Sequence, residues 1–179
     1  MIDLSTDYLG LKLKNPLVPS SSPLSKQLDT ALRLEDAGAA ALVLHSLYEE
    51  ELIAEDAMAD RFLLHAELHD GESAGFLPDH GHYEGALDRY LEHLRRLKAR
   101  MAIPVIASLN GTSPGGWVRY AKHLAEAGAD AIELNLYDSV VDPAITADDA
   151  ERRYAELVEE VKAEISVPLA VKISPWFTA

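Results

Sequence analysis

Along this chain, short continuous apolar runs alternate with longer stretches in which leucine and alanine recur every three or four positions. The runs are PLVPS at 16–20, AALVLHS at 40–46, PVIASLN at 104–110, AIELNL at 131–136 and PLAVKIS at 168–174. Their length and aliphatic character predict buried strands. Periodic segments near 24–36, 85–100, 116–127 and 147–165 lie between them, with YLEHLRRLKARM the clearest, and predict helices. Strand and helix therefore alternate, which implies right-handed crossovers and a parallel sheet.

An internal repeat supports this reading. LEDAGAAALVL at 34–44 matches LAEAGADAIEL at 124–134, each a helix end, a glycine suited to a left-handed C-cap, and a strand entered through small residues. MAIPVIASL and ISVPLAVKI both pass through proline into a strand, where proline is tolerated at the first position. The opening IDLSTDYLGLKLKN reads as two short strands around Gly10, a hairpin capping the sheet. The expected architecture is four βα units plus a fifth strand after an N-terminal hairpin, in a single domain. Segment 47–84, acidic and rich in histidine and glycine, is far longer than an ordinary βα connection and predicts a functional lid or a flexible insertion.

Composition narrows the partners. With 179 residues, 48% hydrophobic and 26% charged, the chain is globular in character. A formal net charge of -14 repels phosphate backbones and argues against nucleic acid and anionic membranes. There is no cysteine, hence no disulfide framework, and a reducing cytoplasm is the simplest setting. No apolar run approaches the roughly eighteen residues that span a bilayer, and MIDLSTDYLG lacks the regions of a signal peptide. The expected partner is a small-molecule substrate, with self-association into a homo-oligomer left open.

In a βα-repeat fold, ligands gather at the carboxyl ends of the strands. Each predicted strand here ends in polar residues: Ser20 to Ser22, His45 with Ser46, Asn110, Asn135, and Lys172 with Ser174. Alternation places Asn135 on one face with Glu133, Asn110 with Ser108, and Lys172 with Ala170 and Ser174, while Leu42, Leu44, Leu134 and Leu136 face helices. A lysine in an apolar strand needs a partner, which Glu133 or a bound anionic group could supply. For any one of these residues, mutual satisfaction across the interior is as good an explanation as ligand binding.

LGLKLKNPLVPSSSPLS, IASLNG, ELNL and LAVKIS, in that order, resemble the N-terminal part of the dihydroorotate dehydrogenases, specifically the soluble dihydroorotate dehydrogenase-like branch. The resemblance implies an FMN-dependent oxidoreductase acting on a CH–CH bond, of the pyrimidine-biosynthesis type, on an incomplete (β/α)8 TIM barrel. It places Ser20, Ser21, Asn110, Asn135 and Lys172 around FMN, together with His45 and Ser46 at the end of the second strand, where His45 stands in place of the family's lysine. A cation such as Lys172 beside the N1/O2 edge of the ring would stabilise charge that develops on reduction.

Where the family carries its catalytic Cys or Ser base, this chain has Asp138, with Ser139 beside it and Val140 in place of a substrate-binding asparagine. A positioned carboxylate is chemically admissible as that base. SAGFLPD resembles a family loop, which puts Ser73 at a further substrate-binding position. A complete barrel takes about 250 residues, so the resemblance implies a fragment lacking the FMN-phosphate loops. Two other readings stand beside it. One is a non-catalytic truncated barrel that binds another subunit through an open edge. The other is a metal-dependent hydrolase using His65, His69, His80 and His82 with Glu67 or Asp70.

Overall fold

The computed structural model describes residues 2–68, 85–111, 113–137, 142 and 144–174, the side chains of residues 59, 60 and 62–68 excepted. It begins with an antiparallel hairpin, β1 (Thr6–Tyr8) and β2 (Leu11–Leu13). The turn uses Leu9 at φ 55° and Gly10 at φ 74°, two consecutive left-handed residues that match the right-handed twist of a tight hairpin. A short 3-10 turn (Pro23–Lys26) leads into α1 (Leu28–Asp36). There follow β3 (Leu42–Tyr48), α2 (Glu49–Leu68), α3 (Ala86–Arg100), β4 (Val105–Asn110), α4 (Pro114–Glu126), β5 (Ala131–Leu136), α5 (Ala147–Glu164) and β6 (Leu169–Ile173).

Strands β3, β4, β5 and β6 form one parallel sheet in that order. The fold is thus mixed α/β with four parallel strands. The repeat noted in the sequence is one structural device used twice. Gly38 and Gly128 take φ +106° and +99°, and the Ala39 and Ala129 N–H groups donate to Leu34 and Leu124 carbonyls, closing α1 and α4 with the same left-handed cap. At the other end of α5, Thr146 and Asp149 form a reciprocal capping box.

Two differences from the sequence expectation have clear causes. Residues 16–20 are not a strand, because Pro16 and Pro19 have no N–H to contribute to a ladder. The segment nevertheless runs beside β3, accepting from Ala40 N–H at the Leu17 carbonyl and from Val43 N–H at the Pro19 carbonyl. The insertion after β3 begins as the 20-residue α2, a helix that the apolar periodicity did not mark, and it opens with Glu49, Glu50 and Glu51 at its positive N-terminal end.

The sheet has two unlike faces. Leu42, Leu44, Val105, Leu109, Ile132 and Leu134 are essentially inaccessible and pack with Leu94, Leu97, Leu124 and Val161 of the helices. Each such leucine contributes roughly 2 kcal/mol by leaving water. On the opposite face, Val43, Ile106 and Ala131 meet Leu13 of the hairpin, with Leu9 and Leu11 beside them. The hairpin closes the amino end of this second face. Its carboxyl end is polar.

Candidate functional site

The strand register builds a row of polar side chains across that carboxyl end. Ser46 is opposite Ser108, Ser108 opposite Glu133, and Asn135 opposite Lys172. Ser21 and Ser46 hydroxyls lie 3.1 Å apart, Ser46 and Ser108 hydroxyls 2.8 Å apart, and Asn135 Nδ2 donates to Ser108 Oγ at 2.9 Å. The amide also reaches the Leu109 carbonyl at 3.3 Å. Ser108, Glu133 and Asn135 are buried, so this chaining is what makes their polarity affordable. At the outer end Lys172 Nζ lies 3.3 Å from Glu133 Oε1, the lysine half-exposed and the carboxylate nearly buried.

His45 does not join this row. Between Val43 and Ser46 strand β3 carries one more residue than β4, a bulge that turns the histidine towards α3. Its backbone is satisfied by side chains instead of a ladder: the His45 N–H donates to Ser25 Oγ at 2.7 Å, and Tyr90 Oη donates to the His45 carbonyl at 2.8 Å. The imidazole sits 4.9 Å from the Tyr90 ring and 6.0 Å from His93, whose Nε2 is 2.7 Å from the Ser25 carbonyl. Burial, then the Lys26 charge and His93, lower the His45 pKa to about 4, so the ring is neutral at pH 7. Burial pushes the Tyr90 phenol upward.

Asn110 ends β4, and among the described residues its buried Oδ1 has no hydrogen-bond partner, nor has His45 Nδ1. Asn110 and Asn135 line a cavity of about 560 Å³ whose walls include Tyr48, Trp117, Tyr137 and Arg153. The loop beyond Asn110 is built tightly. A Cβ on Gly111 would lie 2.6 Å from the Trp117 indole, and one on Gly116 would run into the Glu49 carboxylate. Glu49 is 3% exposed and accepts from the Ser113 N–H at 2.9 Å and the Ser113 hydroxyl at 2.6 Å, while Ser113 Oγ caps α4 by accepting from Gly116 N–H. A carboxylate from the β3 exit therefore seals the N-terminus of α4 next to the cavity.

Of the candidate residues, the structure brings Ser21, Ser46 and Asn135 into one hydrogen-bonded row and ties Lys172 to its edge through Glu133. Ser20 is exposed. Asp138, Ser139 and Ser73 lie outside the described residues, as do His69, His80, His82, Asp70 and the side chains of His65 and Glu67. Among the described residues no group of histidine and acidic side chains is arranged to hold a metal ion, and no helix is long and apolar enough to cross a membrane. Glu49, Ser25 and Tyr90 went unread in the sequence. The signal for Glu49 was the pair of glycines in SPGGW, unexpected in the first turn of a helix unless another group packs against it.

No protein-family profile matches the chain. Curated relatives do, over nearly its whole length. The catalytic subunit of dihydroorotate dehydrogenase B (NAD(+)) from Thermoplasma acidophilum is 30% identical over 98% of this chain and 55% of its own length. The NAD-dependent dihydropyrimidine dehydrogenase subunit PreA from Escherichia coli is 30% identical over 97% of this chain and 42% of its own. The dihydroorotate dehydrogenase B catalytic subunit from Geobacillus is 27% identical over 98% and 54%. The chain thus spans about half the length of the curated relatives it matches. A solved dihydrodipicolinate synthase from Bacillus anthracis aligns with 96% of this chain and 46% of its own at TM-score 0.49 and 12% identity, a likeness too loose to argue from.

Proposed function

Since this chain is a homologue, over nearly its whole length, of dihydroorotate dehydrogenase B catalytic subunits and of PreA, we propose that it forms part of a flavin-dependent oxidoreductase built on a (β/α)8 barrel, with the flavin ring over the carboxyl ends of β3 to β6. The observation that carries the reading is the row from Ser21 through Ser46 and Ser108 to Asn135, with Asn110 and Lys172 beside it, at the carboxyl end of the sheet.

The residues fit FMN chemically. Asn110 Oδ1 is a buried acceptor that lacks a donor among the described residues, which a ring N–H would satisfy. Asn135 and the serine hydroxyls offer further hydrogen bonds to a planar heteroaromatic edge, and Lys172 offers a positive charge where negative charge gathers on reduction. The flavin, when bound, would supply the hydride-accepting chemistry. Asp138, with Ser139 beside it, would take the substrate proton, and Ser73 would contribute to substrate binding.

Titration of the chain with FMN, followed by quenching of flavin fluorescence, tests the assignment. Saturable binding that Lys172→Ala weakens several-fold is expected. A chain that binds no FMN, or that binds it equally with and without the lysine, would falsify the assignment. In the flavin-loaded enzyme Asp138→Asn should slow proton abstraction while FMN stays bound. Undiminished turnover would remove Asp138 from the mechanism.

A further inference from the structure

We infer that Glu49 is a positioning residue for the strand-end site: by holding Ser113, it fixes the direction in which Asn110 meets a bound ring. The inference deepens the flavin reading and rests on it for the identity of that ring. It starts from the strand register. Tyr48 and Asn110 are partners at the exits of β3 and β4, so Glu49, the next residue, leaves the sheet beside the loop that follows Asn110. Its carboxylate crosses to that loop, accepting from the Ser113 N–H at 2.9 Å and from the Ser113 hydroxyl at 2.6 Å.

Two glycines close this contact into a clamp. Gly111 lies so near the Trp117 indole that a Cβ there would come within 2.6 Å of the ring, and Gly116 leaves the space that the Glu49 carboxylate fills. The β4 exit is thus held at Gly111 by the indole and at Ser113 by the carboxylate, one and three residues beyond Asn110. Tyr48, Asn110, Gly111, Pro114 and Trp117 all line the 560 Å³ cavity. Glu49 has a firm base of its own. Later in α2, Glu55 accepts from the Ala86 N–H at 2.6 Å and from Arg89 Nη2 at 2.9 Å, which ties α2 to the first turn of α3.

Helix capping alone does not account for this carboxylate. Ser113 Oγ already accepts from the Gly116 N–H at 3.0 Å, which is an ordinary N-cap. Burying Glu49 to 3% exposure is costly, and what it adds is a second and third bond that fix both the backbone and the hydroxyl of Ser113. Asn110 Oδ1 has no donor among the described residues. A hydrogen bond to it weakens steeply when misaligned, so a small rotation of the β4 exit would cost ring affinity while the fold persists.

FMN titration of the full chain, read by flavin fluorescence, compares wild type with E49Q, S113A, the double variant E49Q/S113A and D130N. The last is a matched control at the opposite end of β4, where Asp130 Oδ2 accepts from the Val105 N–H at 2.7 Å and from Lys98 Nζ. E49Q and S113A should each weaken FMN binding about fivefold, the equivalent of one lost hydrogen bond. The double variant should stay within about twofold of the weaker single variant, because both break one clamp, and D130N within about twofold of wild type. Circular dichroism checks each fold, and S113A carries the test if E49Q does not fold.

A readout without ligand accompanies the titration: acrylamide quenching of Trp117 in a Trp176→Phe background, which leaves one tryptophan. Quenching should rise in E49Q and S113A and not in D130N. Wild-type affinity in both E49Q and S113A, an equal loss in D130N, or additive losses in the double variant overturns the inference and leaves the flavin reading standing. A wild-type chain that binds no FMN overturns the flavin reading, and the quenching then decides the positioning role. A rise confined to E49Q and S113A supports that role, and unchanged quenching overturns it.

Discussion

The centre of the sheet and its β6 margin follow the same alternation of apolar and polar positions, in different surroundings. Every residue of β5 is buried, while β6 is half-buried and ends on an exposed Ile173. In the centre Ser46, Ser108 and Asn135 survive because each finds another at 2.8 to 2.9 Å. At the margin the Lys172–Glu133 pair is longer, at 3.3 Å, and water reaches the lysine. Interior polarity is therefore paired by protein, and marginal polarity partly by solvent. The first arrangement is rigid and sensitive to loss of a single partner, and the second is tolerant.

The largest effect should appear in the apolar face. Leu134→Ala in β5 should lower unfolding free energy by about 3 kcal/mol and Val171→Ala in β6 by under about 1 kcal/mol, read from urea denaturation. Equal losses would mean that the margin is as well packed as the centre. Next, Glu49→Ala removes the carboxylate that links the β3 exit to α4 and should cost about 2 kcal/mol, with a lesser loss for Glu49→Gln, which keeps one acceptor. A neutral Glu49→Ala would show that Ser113 caps α4 unaided.

A smaller effect concerns pH. His45 is neutral in the folded chain with a pKa near 4, below its ordinary value of 6.5. Between these values the unfolded chain binds the extra proton, so stability falls as pH drops from about 6.5 to about 4. With allowance for partial solvent access, the loss is on the order of 1 to 2 kcal/mol. His45→Gln should flatten this part of the urea-midpoint profile, and an unaltered slope would place the titration elsewhere. The least effect on stability is expected from Lys172→Met, under about 1 kcal/mol, because its ion pair is half-solvated. A loss as large as that of Glu49→Ala would contradict the contrast between centre and margin.

Much of the framework was legible in residues that act locally. Gly10, Gly38 and Gly128 marked the backbone reversals, and period-two alternation separated Leu134 and Leu136 from Glu133 and Asn135. Pro16 and Pro19 were a local signal too, and they explain why the first apolar run lies beside β3 without becoming a strand. The bulge that separates His45 from Ser46 has no such mark. It depends on Ser25 and Tyr90, 20 and 45 residues away in the chain, supplying respectively the acceptor and the donor that the ladder gives up.

Periodicity and turn chemistry, which operate over a few residues, were enough to specify the four sheet strands, the helices α1, α3, α4 and α5, the parallel sense of the sheet and the face on which polar groups would lie. Which polar groups meet could not follow from that level. The Ser46–Ser108–Asn135 contacts, the Glu49 seal on α4 and the neutral His45 all arise from side chains between 27 and 89 residues apart or from the burial that packing imposes. Hydrogen bonding and desolvation depend on ångström-scale separations, and only the assembled sheet and helices set those.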